Sequence, residues 1–246
     1  MATHSDNGGN YGRTFFIARE NGQVAKDGRP YFFEWLRTAP PEGVNGRKFE
    51  SRTNSAGETR HYELFTALDG YLIGVEIIAK SFDATRQNEK FIVLRMIDQE
   101  EEYTVEIGRI DSRWSMDIMK RLLHPAFDPN KKIRIAPYSI EENGRVNMGI
   151  SAISIPDAKL TASYKDEHLA GMPQPETREW KGKTEYNFLP VADWLFGQVD
   201  TKVVPRLRKD PLTEPVRVPM PSPTAAVPTA QPAPSNHNDI DDDLPF

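Results

Sequence analysis

The sequence predicts a mainly β fold: a five-stranded barrel carrying one helix, with additions at both ends and a C-terminal tail without a fold of its own. Two observations carry the first half of that statement. Several segments alternate apolar and polar residues with a period of two, and between residues 111 and 123 the period changes once to that of a helix. A third carries the second half. Proline recurs at 211, 215, 219, 221, 223, 228, 232 and 234, with Ala, Thr and Ser between.

The first barrel strand is YLIGVEIIAK, residues 71–80. Tyr71, Ile73, Val75 and Ile77 point one way, and Leu72, Gly74, Glu76 and Ile78 the other. KFIVLRMI (90–97) and EYTVEIGRI (102–110) follow as a hairpin around the polar turn at Gln99 to Glu101. Asp111 and Ser112 then offer a helix cap. Trp114, Ile118 and Leu122 recur at four-residue spacing until Pro125 stops the helix. KKIRIAPY (131–138) and RVNMGISAI (145–153) are joined through Asn143-Gly144, a strong hairpin signal. Three strands, a helix and a hairpin make the chain order of the OB-fold, a small Greek-key barrel. An open α+β sheet has the same order, and the barrel is the preferred expectation. RPYFFEWL and RHYELFTA precede it; AKLTASY and a helical LPVADWLFGQVDTKVV follow. The expected organisation is a flexible arm at 1–12, the folded unit at 13–208, a Pro-rich linker at 209–238 and an acidic tip at 239–246.

Composition narrows the chemistry. There is no cysteine, so disulfides, thiolate metal sites and a cysteine nucleophile are excluded, and the chain suits a reducing cytoplasm. No apolar run reaches the roughly 18 residues that a membrane span requires. The N-terminus lacks the apolar core of a secretory signal. The net charge is -5, but of 31 basic and 36 acidic residues, two and six respectively lie from Lys209 onward. The body is therefore close to neutral and can still carry a basic groove. The linker holds too few large apolar groups to offset the entropy of ordering. Its 38 residues with the tip would span roughly 35 Å as a coil.

The last eight residues read DIDDDLPF. Phe246 offers a partner an aromatic ring beside an α-carboxylate, which an apolar hole rimmed by Arg or Lys would accept. Pro245 pre-sets the backbone and lowers the ordering cost. Asp239, Asp241, Asp242 and Asp243 add long-range attraction to a basic surface, weakened by salt. An acidic solubility tail would explain the aspartates but not Leu244-Pro245-Phe246. Flexible linker, acidic run and hydrophobic-Pro-Phe end together resemble the tail of single-stranded-DNA-binding proteins of the bacterial and phage type. The resemblance covers the tail; the body is divergent. It implies a non-catalytic DNA-coating protein whose tip recruits replication or recombination enzymes.

Single-stranded DNA needs cations for its phosphates and flat faces for its bases. If Ile92, Leu94 and Met96 face the core, Phe91, Val93 and Arg95 face outward. The expected DNA-binding residues are Lys80, Phe82, Arg86, Lys90, Phe91 and Arg95 on the first hairpin, with Lys132, Arg134 and Tyr138 beyond it. Each has a plainer alternative, since a strand aromatic is more often core and a lone cation more often solvated surface. Trp114 is expected in the helix core, and Trp35, Trp180 and Trp194 as packing residues of the additions. Residues 46–63 are a weaker candidate for a basic loop over the groove, with Arg47, Lys48, Arg52 and Arg60. Catalysis has less support. Gly182-Lys183-Thr184 lacks the upstream glycine of a phosphate loop, and the histidines at 4, 61, 124, 168 and 237 show no ligand spacing. The expectation is no enzyme, no metal and no cofactor. A protein-interaction adaptor, an RNA binder and, least, a nucleic-acid enzyme remain as alternatives.

Overall fold

β-branched and aromatic residues at alternating positions build strands wherever one flank of the chain can be buried, and this chain builds many. The computed structural model describes residues 13–17, 29–40, 46–53, 56–99, 101–142, 145–154, 158–160 and 166–208. The arm, the linker and the acidic tip lie outside the described residues. In chain order the elements are β1 (Thr14–Ile17), β2 (Phe32–Leu36), β3 (Lys48–Thr53), β4 (Thr59–Phe65), β5 (Leu68–Lys80), β6 (Glu89–Asp98), β7 (Glu101–Arg109) and α1 (Arg113–Leu122). They continue with β8 (Ile133–Glu142), β9 (Arg145–Ser154), β10 (Ala158–Leu160), β11 (Glu176–Trp180), β12 (Lys183–Asn187) and α2 (Leu189–Lys202).

Ten strands form one mixed sheet in the order β10-β9-β8-β5-β6-β7-β1-β2-β4-β3. β1 runs parallel to β7, and the other pairings are antiparallel. The three predicted strands are present as β5, β6 and β7; β6 and β7 form the predicted hairpin and β5 joins them as a meander, with Val75 opposite Leu94 and Leu94 opposite Val105. β8 and β9 form the predicted hairpin, and the first residues of β5 pair with β8, Leu68 opposite Ile135.

Closure into a five-stranded barrel is not found among the described residues. β7 takes β1 as its second neighbour, β9 takes β10, and α1 packs against both β7 and β9. A side chain explains part of this. Asp117 of α1 accepts the backbone N–H of Ile150 at 2.9 Å, so a strand donor that closure would pair is satisfied by the helix.

The core follows the predicted alternation with one slip. A register shift between Leu72 and Gly74 puts Leu72 and Val75, both buried, on the core side. Ile92, Leu94, Met96, Val105 and Ile107 join them, each fully buried or nearly so. Burying each such side chain contributes about 1.5–3 kcal/mol. Ser112 caps α1 by accepting the N–H of Ser115 at 3.2 Å, and Trp114, Ile118 and Leu122 are its buried stripe, as the spacing predicts. α2 begins with Pro190 in its first turn and buries Val191, Ala192, Leu195 and Val199. Trp194 packs partly buried against the same core. Trp35 and Trp180 do not: they are 42% and 52% exposed.

The basic stretch at 46–63 is no loop over a groove. Its described residues form the edge hairpin β3-β4 of the main sheet. Arg47 pairs with Glu63, and Arg52 with Glu50.

Candidate nucleic-acid interface

Residues that alternate with the core positions share the opposite face of the sheet. Register places Glu76, Val93, Glu106, Phe16, Phe33, Leu64 and Lys48 in one row across seven adjacent strands. Around that row four aromatic rings gather on β1, β2 and β4. Phe16 stacks on Phe33 at 5.7 Å and lies 5.8 Å from Trp35. Tyr62 meets Phe33 edge-on at 5.5 Å and Trp35 at 6.3 Å. Two cations sit beside these rings. The Lys80 ammonium is 5.8 Å from the Phe16 centroid and the Arg60 guanidinium 5.0 Å from that of Trp35. Phe16, Phe33 and Tyr62 are half-buried, and Trp35 is exposed. The sheet thus presents flat, partly open apolar surface edged by positive charge.

This cluster escaped the sequence reading, although a signal was present. In RPYFFEWL, aromatic residues occupy both alternating sets: Phe32 on one side, and Tyr31, Phe33 and Trp35 on the other. Phe32 is completely buried in the core. A strand that buried only one face would not need large rings on both.

The nine predicted binding residues fall into four groups. Lys80, Phe91 and Arg95 do lie on the face away from the core, and Phe82 and Arg86 lie in the loop that follows β5. Phe91 is nevertheless not exposed. It is 4% accessible, with Phe82 at 5.7 Å and the Lys80 ammonium 5.5 Å from its ring. Val93 beside it is buried as well. Long neighbouring side chains cover this part of the outer face, which alternation alone cannot reveal. Lys90 belongs to the other face: it alternates with Ile92 and reaches Asp193 of α2 at 3.6 Å. Lys132 and Arg134 gather at the far end of β5, beside Asp98, Tyr71 and Asp69. Tyr138 is not presented as a base platform. It lies across Gly149, where a β-carbon would come within 2.5 Å of its hydroxyl. Burial, and then the Asp117 carboxylate on α1, push its phenol upward.

Every cation in the predicted set has a carboxylate partner. Lys80 pairs with Glu106 and Lys132 with Asp98. Arg86 holds Glu89 through two bonds of 3.1 and 2.9 Å, and Arg134 holds Asp69 at 2.7 and 2.6 Å. Arg95 bridges Glu102 at 2.5 Å and Glu76 at 3.4 Å. The hydrogen bond to Glu102 raises the Arg95 pKa, and the bond to Asp98 raises that of Lys132. These groups stay charged, but the face is locally neutral. Surface pairs of this kind are worth about 0–1 kcal/mol, so a phosphate can exchange for the carboxylate at small cost.

Among the described residues no cluster of His, Asp and Glu is arranged to hold a metal ion, and no helix is long and apolar enough to cross a membrane. Comparison with protein-family models, with curated proteins and with solved structures finds no match for this chain.

Proposed function

We propose that this chain binds and protects single-stranded DNA, with little sequence preference, during replication, recombination or repair. Asp239, Asp241, Asp242, Asp243, Leu244, Pro245 and Phe246 would recruit the enzymes that act on that DNA. The observation that carries the reading is the aromatic cluster Phe16, Phe33, Trp35 and Tyr62 on the face away from the core, with Lys80 and Arg60 against its rings. Unpaired bases stack on such rings for about 1–3 kcal/mol each, whatever the base.

The layout reads as an OB-fold opened and widened. Meander, helix and hairpin come in OB order, with β8 paired to β5. In that fold the face of the second and third strands, and the loop between the first and second, take the nucleic acid. Here those parts are β6, β7 and the loop with Phe82 and Arg86. β1, β2 and β4 extend the face with the rings that β6 keeps covered. Because the cations are paired, stacking supplies more of the affinity than charge does, and the dependence on salt is shallow for a protein of this class. A cytoplasmic site of action, in a bacterium or a phage-infected cell, goes with this reading.

A second reading is favoured by the ion pairing itself. A neutral face rich in Phe, Trp and Tyr also suits a protein partner, which would make the chain an adaptor. Fluorescence anisotropy with labelled oligo-dT, single-stranded RNA and duplex DNA at two salt concentrations separates the readings. The expected result is tightest binding to oligo-dT. A chain lacking its last dozen residues that ignored oligo-dT in dilute buffer would overturn the DNA reading and leave the adaptor. Tighter binding to RNA would move the substrate from DNA to RNA.

A further inference from the structure

β11 and β12 form a two-stranded hairpin of their own, registered from Glu176 opposite Asn187 to Trp180 opposite Lys183. All ten of its strand residues are exposed. Such a ribbon is marginal alone and needs local reinforcement. Three cross-strand rungs supply it: Arg178 to Glu185 at 2.7 Å, Thr184 to Glu179 at 2.6 Å and Asn187 to Glu176 at 2.8 Å. The turn residues Lys181 and Gly182 have φ of 50° and 71°. Two successive positive values mark the tight turn whose twist matches paired strands, and they call for glycine at one of them.

The rungs end short of the tip, and the chemistry changes there. Trp180 is 52% exposed, with the Arg178 guanidinium 5.4 Å and the Lys181 ammonium 5.6 Å from its ring. Among the described residues neither Lys181 nor Lys183 has a carboxylate partner. On the sheet face every predicted cation is neutralised; at this tip two are not. An open indole with the unpaired Lys181 ammonium against its ring, and Lys183 opposite it in register, is complementary to a base with flanking phosphates.

We propose that the tip of the β11-β12 hairpin is a second contact for single-stranded nucleic acid, in which Trp180 stacks on one base and Lys181 and Lys183 take phosphates. This rests on the reading of the chain as a single-strand binder and adds a site away from the sheet face. Gly182 presents bare backbone at the turn, so the strand can approach closely. The hairpin's carboxylates are engaged in the rungs, with Arg178, Thr184 and Asn187, which leaves Lys181 and Lys183 to release counterions on binding phosphate.

The test uses the full chain and labelled oligo-dT, comparing wild type with W180A, W180F and K181A/K183A. W180A is expected to weaken binding between roughly five- and about 150-fold, the loss of one stacked base, and W180F to recover most of it. K181A/K183A is expected to reduce the slope of log affinity against log salt by about 1.4, which is two cations on a single strand. Thermal melting checks the fold, which these exposed positions leave intact. If all three variants bind as wild type does, with an unchanged salt slope, the hairpin contact is overturned while the sheet-face reading stands. If the wild-type chain itself does not bind, both fall.

Discussion

The pairing of Lys80 with Glu106 makes the DNA reading quantitative. Lys80 is 32% and Glu106 13% exposed, and the ammonium also lies 5.8 Å from Phe16 and 5.5 Å from Phe91. Replacing Glu106 by Gln keeps the shape and removes the charge. The two rings still hold Lys80 in place, so the substitution should free one cation on the face without displacing it. The stability cost should stay near 1 kcal/mol, the upper value for a surface pair. One additional cation open to phosphate steepens the single-strand salt slope by about 0.7. Between about 50 and 200 mM salt, E106Q should therefore lose about two- to threefold more affinity than wild type, starting from tighter binding at the low end. Anisotropy titrations with labelled oligo-dT at three salt concentrations measure it, with K80A/E106Q as the control that should abolish the gain. An E106Q slope equal to that of wild type would mean that DNA does not reach Lys80, and the assignment of this face would fail.

Trp35→Ala and Tyr62→Ala should each weaken oligo-dT binding by about 1–3 kcal/mol with little change in melting temperature, whereas Phe91→Ala should destabilise the fold by about 3–5 kcal/mol, read by denaturant unfolding. Tyr103 donates its hydroxyl to the Asp69 carbonyl at 2.6 Å, and burial pushes the phenol far upward; Tyr103→Phe should cost about 1–3 kcal/mol in the same assay. His124 accepts the Ala126 N–H at 3.1 Å and sits 5.2 Å from His168; burial, and then His168, depress its pKa. Its folded value lies below its unfolded one, so its contribution is present above about pH 6.5 and is lost as pH falls from there through the folded value. Melting temperature should drop across that window, and His124→Asn should flatten the drop. If the four aspartates of the last eight residues compete with DNA for the same cations, deleting residues 236–246 should strengthen DNA binding at low salt; unchanged affinity in a titration would exclude that competition.

Local order was well inscribed in the sequence. The three strands between Tyr71 and Ile110, the stripe Trp114-Ile118-Leu122 and the pairing of β8 with β9 each follow from periodicity and turn chemistry, which act over a few residues. What failed depended on which strands become neighbours. Glu106 meets Lys80 across 26 positions, Asp98 meets Lys132 across 34 and Asp69 meets Arg134 across 65. No spacing rule links residues so far apart, so the cations looked available when read singly. Phe91 failed for a related reason. Alternation gives the side of a sheet but not what lies over that side, and here Phe82 and Lys80 lie over it. The aromatic cluster needed β1, β2 and β4 to join the meander, a topological event that leaves only the doubled aromatic pattern of RPYFFEWL as a trace.

The bond from Asp117 to the Ile150 amide has a consequence for how copies of this protein can associate. A strand margin with an open donor is a template on which an identical chain can nucleate and extend. Here a carboxylate on a helix packed against β9 already occupies that donor. At Ile150 the fold itself withholds the donor that an incoming copy would need, so edge-to-edge fusion of neighbouring chains cannot start from that amide.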